Sequence, residues 1–225
     1  MTLKYNFQRP ETDFVLIENA ITEEVARELA EMTLERGKDP VRGFKRPKLK
    51  PNRPGLDLNY PVKKYMCYSL YWDPSAYVYN GNIPGTTTPP FPIPELLEKL
   101  SYDAVQTFFP HHLPQFKLES CYVNFYTKDE MGIDSTIPLH KDKEEIDLKF
   151  PVIGLSLGST ARFMYQGLKG TIQEITIPDR SLYLFGDSMR LMRHGVKEVL
   201  PDLPANYEGL LAPRDRLNFN LRKVY

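Results

Sequence analysis

Residues 216–222 read Arg-Leu-Asn-Phe-Asn-Leu-Arg, an unbroken alternation of polar and apolar side chains. Successive side chains of a β-strand point to opposite faces, so Arg216, Asn218, Asn220 and Arg222 share one face and Leu217, Phe219 and Leu221 the other. Two readings of this strand compete. In the first it lies at a sheet edge, its apolar face on the core and its polar face in water. In the second the Arg/Asn face points into a pocket. Buried guanidinium groups are costly without anionic partners, so such a pocket would take a small carboxylate-bearing ligand, gripped by the planar fork of arginine. Residues upstream decide between the two.

From Leu118 onward the chain consists of short runs rich in β-branched and aromatic residues: 118–126, 149–158, 161–167, 170–178 and 180–186. Gly, Pro and Asp punctuate them, a pattern that predicts a sandwich or barrel. Two helices precede this region. Thr22 caps the first, with Glu23 and Glu24 in its opening turn, Val25, Leu29 and Met32 along one side, and Gly37 as its stop. The second is expected over residues 94–109, burying Leu96, Leu97, Leu100 and Val105. A strand is expected at residues 13–18. The predicted class is therefore mainly β with flanking helices (α+β). A chain of 225 residues, 41% hydrophobic, suits one domain over residues 1–225: helices and a flap in 1–117 and the β core in 118–225.

Lys+Arg and Asp+Glu number 29 each, so no global field draws the chain to nucleic acid or to an anionic membrane. Any phosphate contact must come from a local patch. Residues 38–64 supply one candidate, where Lys45, Arg46, Lys48, Lys50 and Arg53 are interrupted by prolines. This is either a solvated loop or a flap whose cations meet phosphates. Tyr60, Tyr65, Tyr68, Tyr71 and Trp72 follow, and aromatics beside a basic loop can stack on bases or simply build core. Cys67 and Cys121 are too few for a disulfide framework. No apolar run approaches the roughly 20 residues of a membrane span, and the first residues do not form a signal peptide. A soluble, cytoplasmic protein with no membrane and no obligate protein partner is expected.

His140-Lys141-Asp142 places an imidazole and a carboxylate on the same side of an extended segment. His194, just beyond the run 180–186, completes a set of two His and one carboxylate. That set leaves three positions open on non-haem Fe(II). A 2-oxo acid can chelate through two of them, leaving one for O2, and a 2-oxo diacid would give the Arg/Asn face its anions. His111 and His112 also invite a metal, but without a carboxylate or third ligand nearby they read as a surface turn.

These motifs resemble the AlkB-like family of Fe(II)/2-oxoglutarate-dependent dioxygenases over residues 121–222. Asn124-Phe125-Tyr126 resembles the family's Asn-x-Tyr. His140-Lys141-Asp142-Lys143-Glu144 resembles its His-x-Asp-x-acidic stretch, residues 151–158 its following core strand, and residues 185–195 the strand and loop ending in the second His. Residues 216–222 resemble its Arg-x-Asn-x-x-x-Arg signature. The resemblance implies a double-stranded β-helix (jelly-roll) core and a catalytic iron held by His140, Asp142 and His194. It places Arg216, Asn124 and Tyr126 on the distal carboxylate of 2-oxoglutarate, and Asn218 and Arg222 at the end nearer the iron. Glu144 would face the substrate base. The family's aromatic wedge has no Trp counterpart here, and Tyr60 is the residue that falls at its position. Phe185 replaces a Trp, and the loops 128–138 and 201–213 are longer than in the bacterial DNA-repair enzyme of this family. The implied reaction consumes 2-oxoglutarate and O2 and removes N-alkyl groups from bases in DNA or RNA. An alternative is the same chemistry on a free small molecule, nucleoside-like or a natural product. A non-catalytic binding module would need neither the His/Asp/His set nor both arginines.

Overall fold

The computed structural model describes residues 6–46, 64–74, 76–128 and 135–225. In chain order they form β1 (Phe7–Glu11), β2 (Phe14–Ile17), α1 (Glu23–Arg36), β3 (Lys64–Ser69), β4 (Tyr71–Asp73), β5 (Val78–Asn80), α2 (Glu95–Phe108), β6 (Ser120–Tyr126), β7 (Ile137–His140), β8 (Val152–Gly158), β9 (Ala161–Gln166), β10 (Ile172–Ile177), β11 (Ser181–Phe185), β12 (His194–Val199) and β13 (Arg216–Arg222). The larger sheet has the order β1-β2-β11-β8-β13-β6-β3 and the smaller β10-β9-β12-β7, while β4 and β5 make a separate hairpin. The strands pair antiparallel, with neighbours drawn from distant parts of the chain. This is a jelly roll with helices outside it, as expected.

The edge-strand reading of the last segment is excluded. β13 lies between β8 and β6 in the middle of the larger sheet, and Arg216 is only 1% exposed. Its two faces meet different surroundings. Leu217, Phe219 and Leu221 join Val123, Leu155 and Leu182 in a core that also takes Ala26, Leu29 and Ala30 of α1 and Leu97, Leu100 and Ala104 of α2. The helices thus cover the apolar face. The opposite face of the larger sheet looks toward the smaller one, where Phe14, Leu16, Tyr126, Tyr183 and Phe185 share a second core with Phe163 and Tyr165 of β9 and Val196 of β12. The Arg/Asn face of β13 is on that inner side.

Both helices fall within a residue of their expected bounds. Thr22 Oγ1 accepts from Val25 N at 3.4 Å and Gly37 closes α1, whose buried stripe is Ala26, Leu29, Ala30 and Thr33. Val25 and Met32 flank that stripe, packed against the core. The N-terminal part contributes more strand than its pattern suggests. Only residues 13–18 read as a strand, yet β1 and β3 also join the larger sheet. β1 carries Pro10, which is compatible with an edge position but breaks the local signal. Among the described residues no helix is long and apolar enough to cross a membrane, and Cys67 and Cys121 are free and buried.

One glycine of the inner face is fixed by packing. A Cβ on Gly154 would lie 2.0 Å from the Tyr183 ring, its cross-strand partner. Gly154→Ala is therefore expected to displace that ring and cost about 1–3 kcal/mol, the range for overpacking a core. Urea denaturation checks this; an unchanged midpoint would contradict it.

Candidate active site

His140 ends β7 and His194 opens β12, and the two are direct cross-strand partners. Side chains so placed share a face at close range, and their rings stand 4.5 Å apart. Asp142 follows β7 by two residues. His140 Nε2 lies 3.5 Å from one of its oxygens and His194 Nε2 3.5 Å from the other. One ligating atom from each of the three residues lies within 4.8 Å of the others.

The protonation pattern suits a cation. His140 Nδ1 is 3.0 Å from the Pro138 carbonyl and His194 Nδ1 is 3.3 Å from that of Met192. A carbonyl only accepts, so each Nδ1 carries a hydrogen and each Nε2 is left facing Asp142. Burial drives the His194 pKa down to about 4, against the pull of Asp142. The ring is therefore neutral at pH 7. Burial pushes the Asp142 carboxyl up, but Arg222, His194 and His140 together hold it well below the usual carboxylate range. Two imidazoles turned through Nε2 toward one carboxylate are a donor set for a divalent first-row metal with its remaining positions open.

A buried charge network holds the Asp142 segment in place. Arg222 Nη2 donates to Asp142 Oδ2, and Arg190 Nη1 donates to the Asp142 carbonyl at 2.7 Å. Both guanidinium groups also grip Glu145: Arg222 Nε donates to Oε1 at 3.1 Å and Arg190 Nη2 to Oε2 at 2.9 Å. The Tyr79 hydroxyl donates to the same carboxylate at 3.1 Å. This moors the β4–β5 hairpin beside the site, with the Trp72 ring 5.0 Å from Tyr79. Glu145 thus ties together the segment bearing Asp142, the loop leading to His194 and the end of β13.

The other end of the β13 face has a different character. Arg216 Nε donates to Ser156 Oγ at 2.9 Å and Nη2 to Asn218 Oδ1 at 2.8 Å. Asn218 Oδ1 also accepts from the Tyr183 hydroxyl at 2.9 Å. The guanidinium carbon sits 5.0 Å from the centre of the Tyr126 ring. Among the described residues Arg216 Nη1 has no partner, and neither has Asn124 Oδ1. Asn124 is the cross-strand partner of Asn218, and Tyr126 that of Arg216. Flipping the Asn124 amide would place an N–H where its oxygen stands. Burial pushes the Tyr126 hydroxyl up, keeping it a neutral donor. A buried cation that has no carboxylate partner among the described residues, beside an amide and a phenol, is a receptor for an anionic group.

The fold therefore brings His140, Asp142 and His194 together, and lines Asn124, Tyr126, Arg216, Asn218 and Arg222 along the strands that face them. Asn218 Oδ1 accepts from both Arg216 and Tyr183, between the Arg216 and Arg222 ends of the face. Glu144 is half-buried and its Oε2 accepts from Lys143 N at 2.9 Å. Tyr60, Lys48, Lys50 and Arg53 lie outside the described residues. Lys45 is bridged to Tyr65 by backbone hydrogen bonds of 2.8 and 2.9 Å, so the basic stretch starts along β3. His111 and His112 are not the ligand-poor turn expected of them, because the fold carries Asp187 to both. Glu145, Ser156 and Tyr183 had no sequence signal of a role. Arg190 was visible only as part of the motif around His194.

The family model described as the 2OG-Fe(II) oxygenase superfamily matches residues 13–222. The chain is 25% identical over 217 residues to the DNA N(6)-methyladenine demethylase ALKBH1D of Arabidopsis thaliana, covering 88% of this chain and 46% of that protein. It is 27% identical over 137 residues to the alpha-ketoglutarate-dependent dioxygenase AlkB of Escherichia coli (strain K12), covering 59% of this chain and 60% of that protein. The chain thus spans about half the length of the curated relatives it matches. The solved structure of OsALKBH1 aligns with a TM-score of 0.79 at 24% identity, over 96% of this chain and 99% of that one, a likeness of fold.

Proposed function

The chain belongs to the 2OG-Fe(II) oxygenase superfamily, and from that premise we propose that it is an iron- and 2-oxoglutarate-dependent dioxygenase that removes N-alkyl groups from bases in DNA or RNA. The observation that carries this reading is the buried guanidinium of Arg216, with an unpartnered Nη1, on the same inner sheet face as Arg222, which grips the Asp142 of the His140/Asp142/His194 cluster. The residues fit both absent groups. The donor set suits ferrous iron, and the orphaned Arg216 Nη1 and Asn124 amide suit a carboxylate.

In this reading His140, Asp142 and His194 hold the metal, while Arg216, Asn124 and Tyr126 hold the distal carboxylate of 2-oxoglutarate. Asn218 orients Arg216, and Arg222 and Arg190 fix Asp142. When bound, iron with 2-oxoglutarate and O2 supplies the oxidation of an N-methyl C–H, after which the hydroxylated carbon leaves as formaldehyde. The protein's part is to place these groups and to keep bulk water from them. Glu144 and Tyr60 are assigned to the substrate base and Lys45 and Arg46 to phosphate. Nucleic acid is favoured as substrate by the demethylase named among the relatives. We read residues 1–225 as one catalytic domain and place it in the cytoplasm, on the support of its two free, buried cysteines.

Arg216→Lys keeps the charge and loses the fork. It is expected to raise KM for 2-oxoglutarate about tenfold to a hundredfold, the equivalent of one charge-assisted hydrogen bond of ~1.5–3 kcal/mol. An unchanged KM in steady-state succinate assays would remove Arg216 from the co-substrate site.

The reading is tested by supplying Fe(II), ascorbate and 2-oxoglutarate and following succinate and formaldehyde. Methylated single- and double-stranded oligonucleotides are offered beside methylated free nucleosides, with His140→Ala as control. Formaldehyde from oligonucleotides, absent in the variant and falling steeply with salt as phosphate binding does, supports a nucleic-acid demethylase. Formaldehyde from nucleosides alone would move the substrate to small molecules.

A further inference from the structure

We infer that His111, His112 and Asp187 form a second metal site, separate from the His140/Asp142/His194 cluster and suited to a borderline divalent cation such as Zn2+ or Ni2+. His111 and His112 lie on a 3-10 turn, Pro110–Gln115, that follows α2 directly. Asp187 lies just after β11. Both imidazoles aim the same atom at its carboxylate: His112 Nε2 is 2.8 Å from Oδ1, and His111 Nε2 is 3.1 Å from Oδ2. The two rings stand 4.0 Å apart, and one ligating atom from each of the three residues lies within 4.8 Å of the others. A plain ion pair uses one imidazole. Two imidazoles converging through Nε2 on one carboxylate make a three-donor N/O set, and the exposure of His111 and Asp187 opens it to water as further ligand. Zn2+, Ni2+ and Cu2+ favour that set over Mg2+ or Ca2+, which take oxygen.

Two of the three donors, His112 and Asp187, are held by the surrounding structure, while the His111 side chain is 57% exposed. The His112 side chain is 11% exposed, and its ring stands 5.6 Å from that of Phe150. On the other side, Asp13 fastens the turn that bears Asp187. Its carbonyl accepts from Gly186 N at 3.1 Å, and its carboxylate accepts from Ser188 N at 3.2 Å. Arg190 N donates to the Asp187 carbonyl at 3.1 Å, closing the turn. Arg190 in turn grips Glu145 and the Asp142 carbonyl. A cation here would join the end of α2 to the segment that runs on to His194, so occupancy should also raise the unfolding temperature.

The test is calorimetric titration of metal-free protein with Zn2+. Wild type is expected to bind two equivalents. The double variants His111→Ala/His112→Ala and His140→Ala/His194→Ala should each lose one, a different one in each case. Asp187→Asn keeps the shape of the turn, so it serves even if the double alanine variant folds poorly, and it too should bind one equivalent. A wild-type protein that binds one equivalent, lost only with His140 and His194, would overturn the second site. So would two equivalents retained in Asp187→Asn. Turnover of 2-oxoglutarate by Asp187→Asn is expected to persist, and its measurement separates failure of this site from failure of the oxygenase reading.

Discussion

Asp142→Asn is expected to remove iron-dependent turnover of 2-oxoglutarate while leaving the protein folded. The amide has the carboxylate's shape and can still accept from Arg222, so packing is preserved. The negative charge, held in place by Arg222, His194 and His140, is lost. It is the one anionic donor of the cluster, and two imidazoles grip a divalent ion poorly without it. Changes to residues that merely orient metal ligands cost about 10–100-fold in metal affinity or activity, so loss of a ligand should exceed ~100-fold. Equilibrium binding of Mn2+ and succinate formation at saturating 2-oxoglutarate would both show it. Turnover within tenfold of wild type would mean that Asp142 is not a ligand. A loss of folding, read by circular dichroism, would mean that it acts through the Arg222 pair.

Glu145→Ala should produce the largest change in stability. Its side chain is 2% exposed and lies between Arg190 and Arg222, themselves 4% and 7% exposed. Removing the shared anion leaves two buried guanidinium groups short of charge, and breaking a buried pair from one side costs about 3–5 kcal/mol. The effect should reach the metal as well, since both arginines also hold Asp142. Urea denaturation gives the first quantity and Mn2+ affinity the second. A variant as stable as wild type would show that water or Asp142 alone satisfies both arginines.

Glu145 also marks the limit of what the sequence discloses. It follows Glu144 in the run Lys-Asp-Lys-Glu-Glu-Ile-Asp, where no periodicity says which carboxylate turns inward. The structure buries Glu145 and leaves Glu144 half-exposed. The alternation of β13 was legible because a two-residue period survives without knowledge of neighbours. Whether its polar face met water or a pocket was not, since that depends on β6 and β8 taking places beside it. His140 and Asp142 could be paired by spacing alone. No spacing ties His194 to His140, because the β7–β12 pairing that sets them opposite each other is built from two short strands with weak patterns of their own. The approach of Asp187 to His111 and His112 spans some 75 residues of chain and leaves no local trace.

A crystal structure with Mn2+ and 2-oxoglutarate would show where both groups bind. The metal is expected on His140, Asp142 and His194, and the distal carboxylate of 2-oxoglutarate on Arg216 through the now-unpartnered Nη1, with Asn124 and Tyr126 beside it. A metal bound elsewhere, or a distal carboxylate on Arg222, would contradict this assignment.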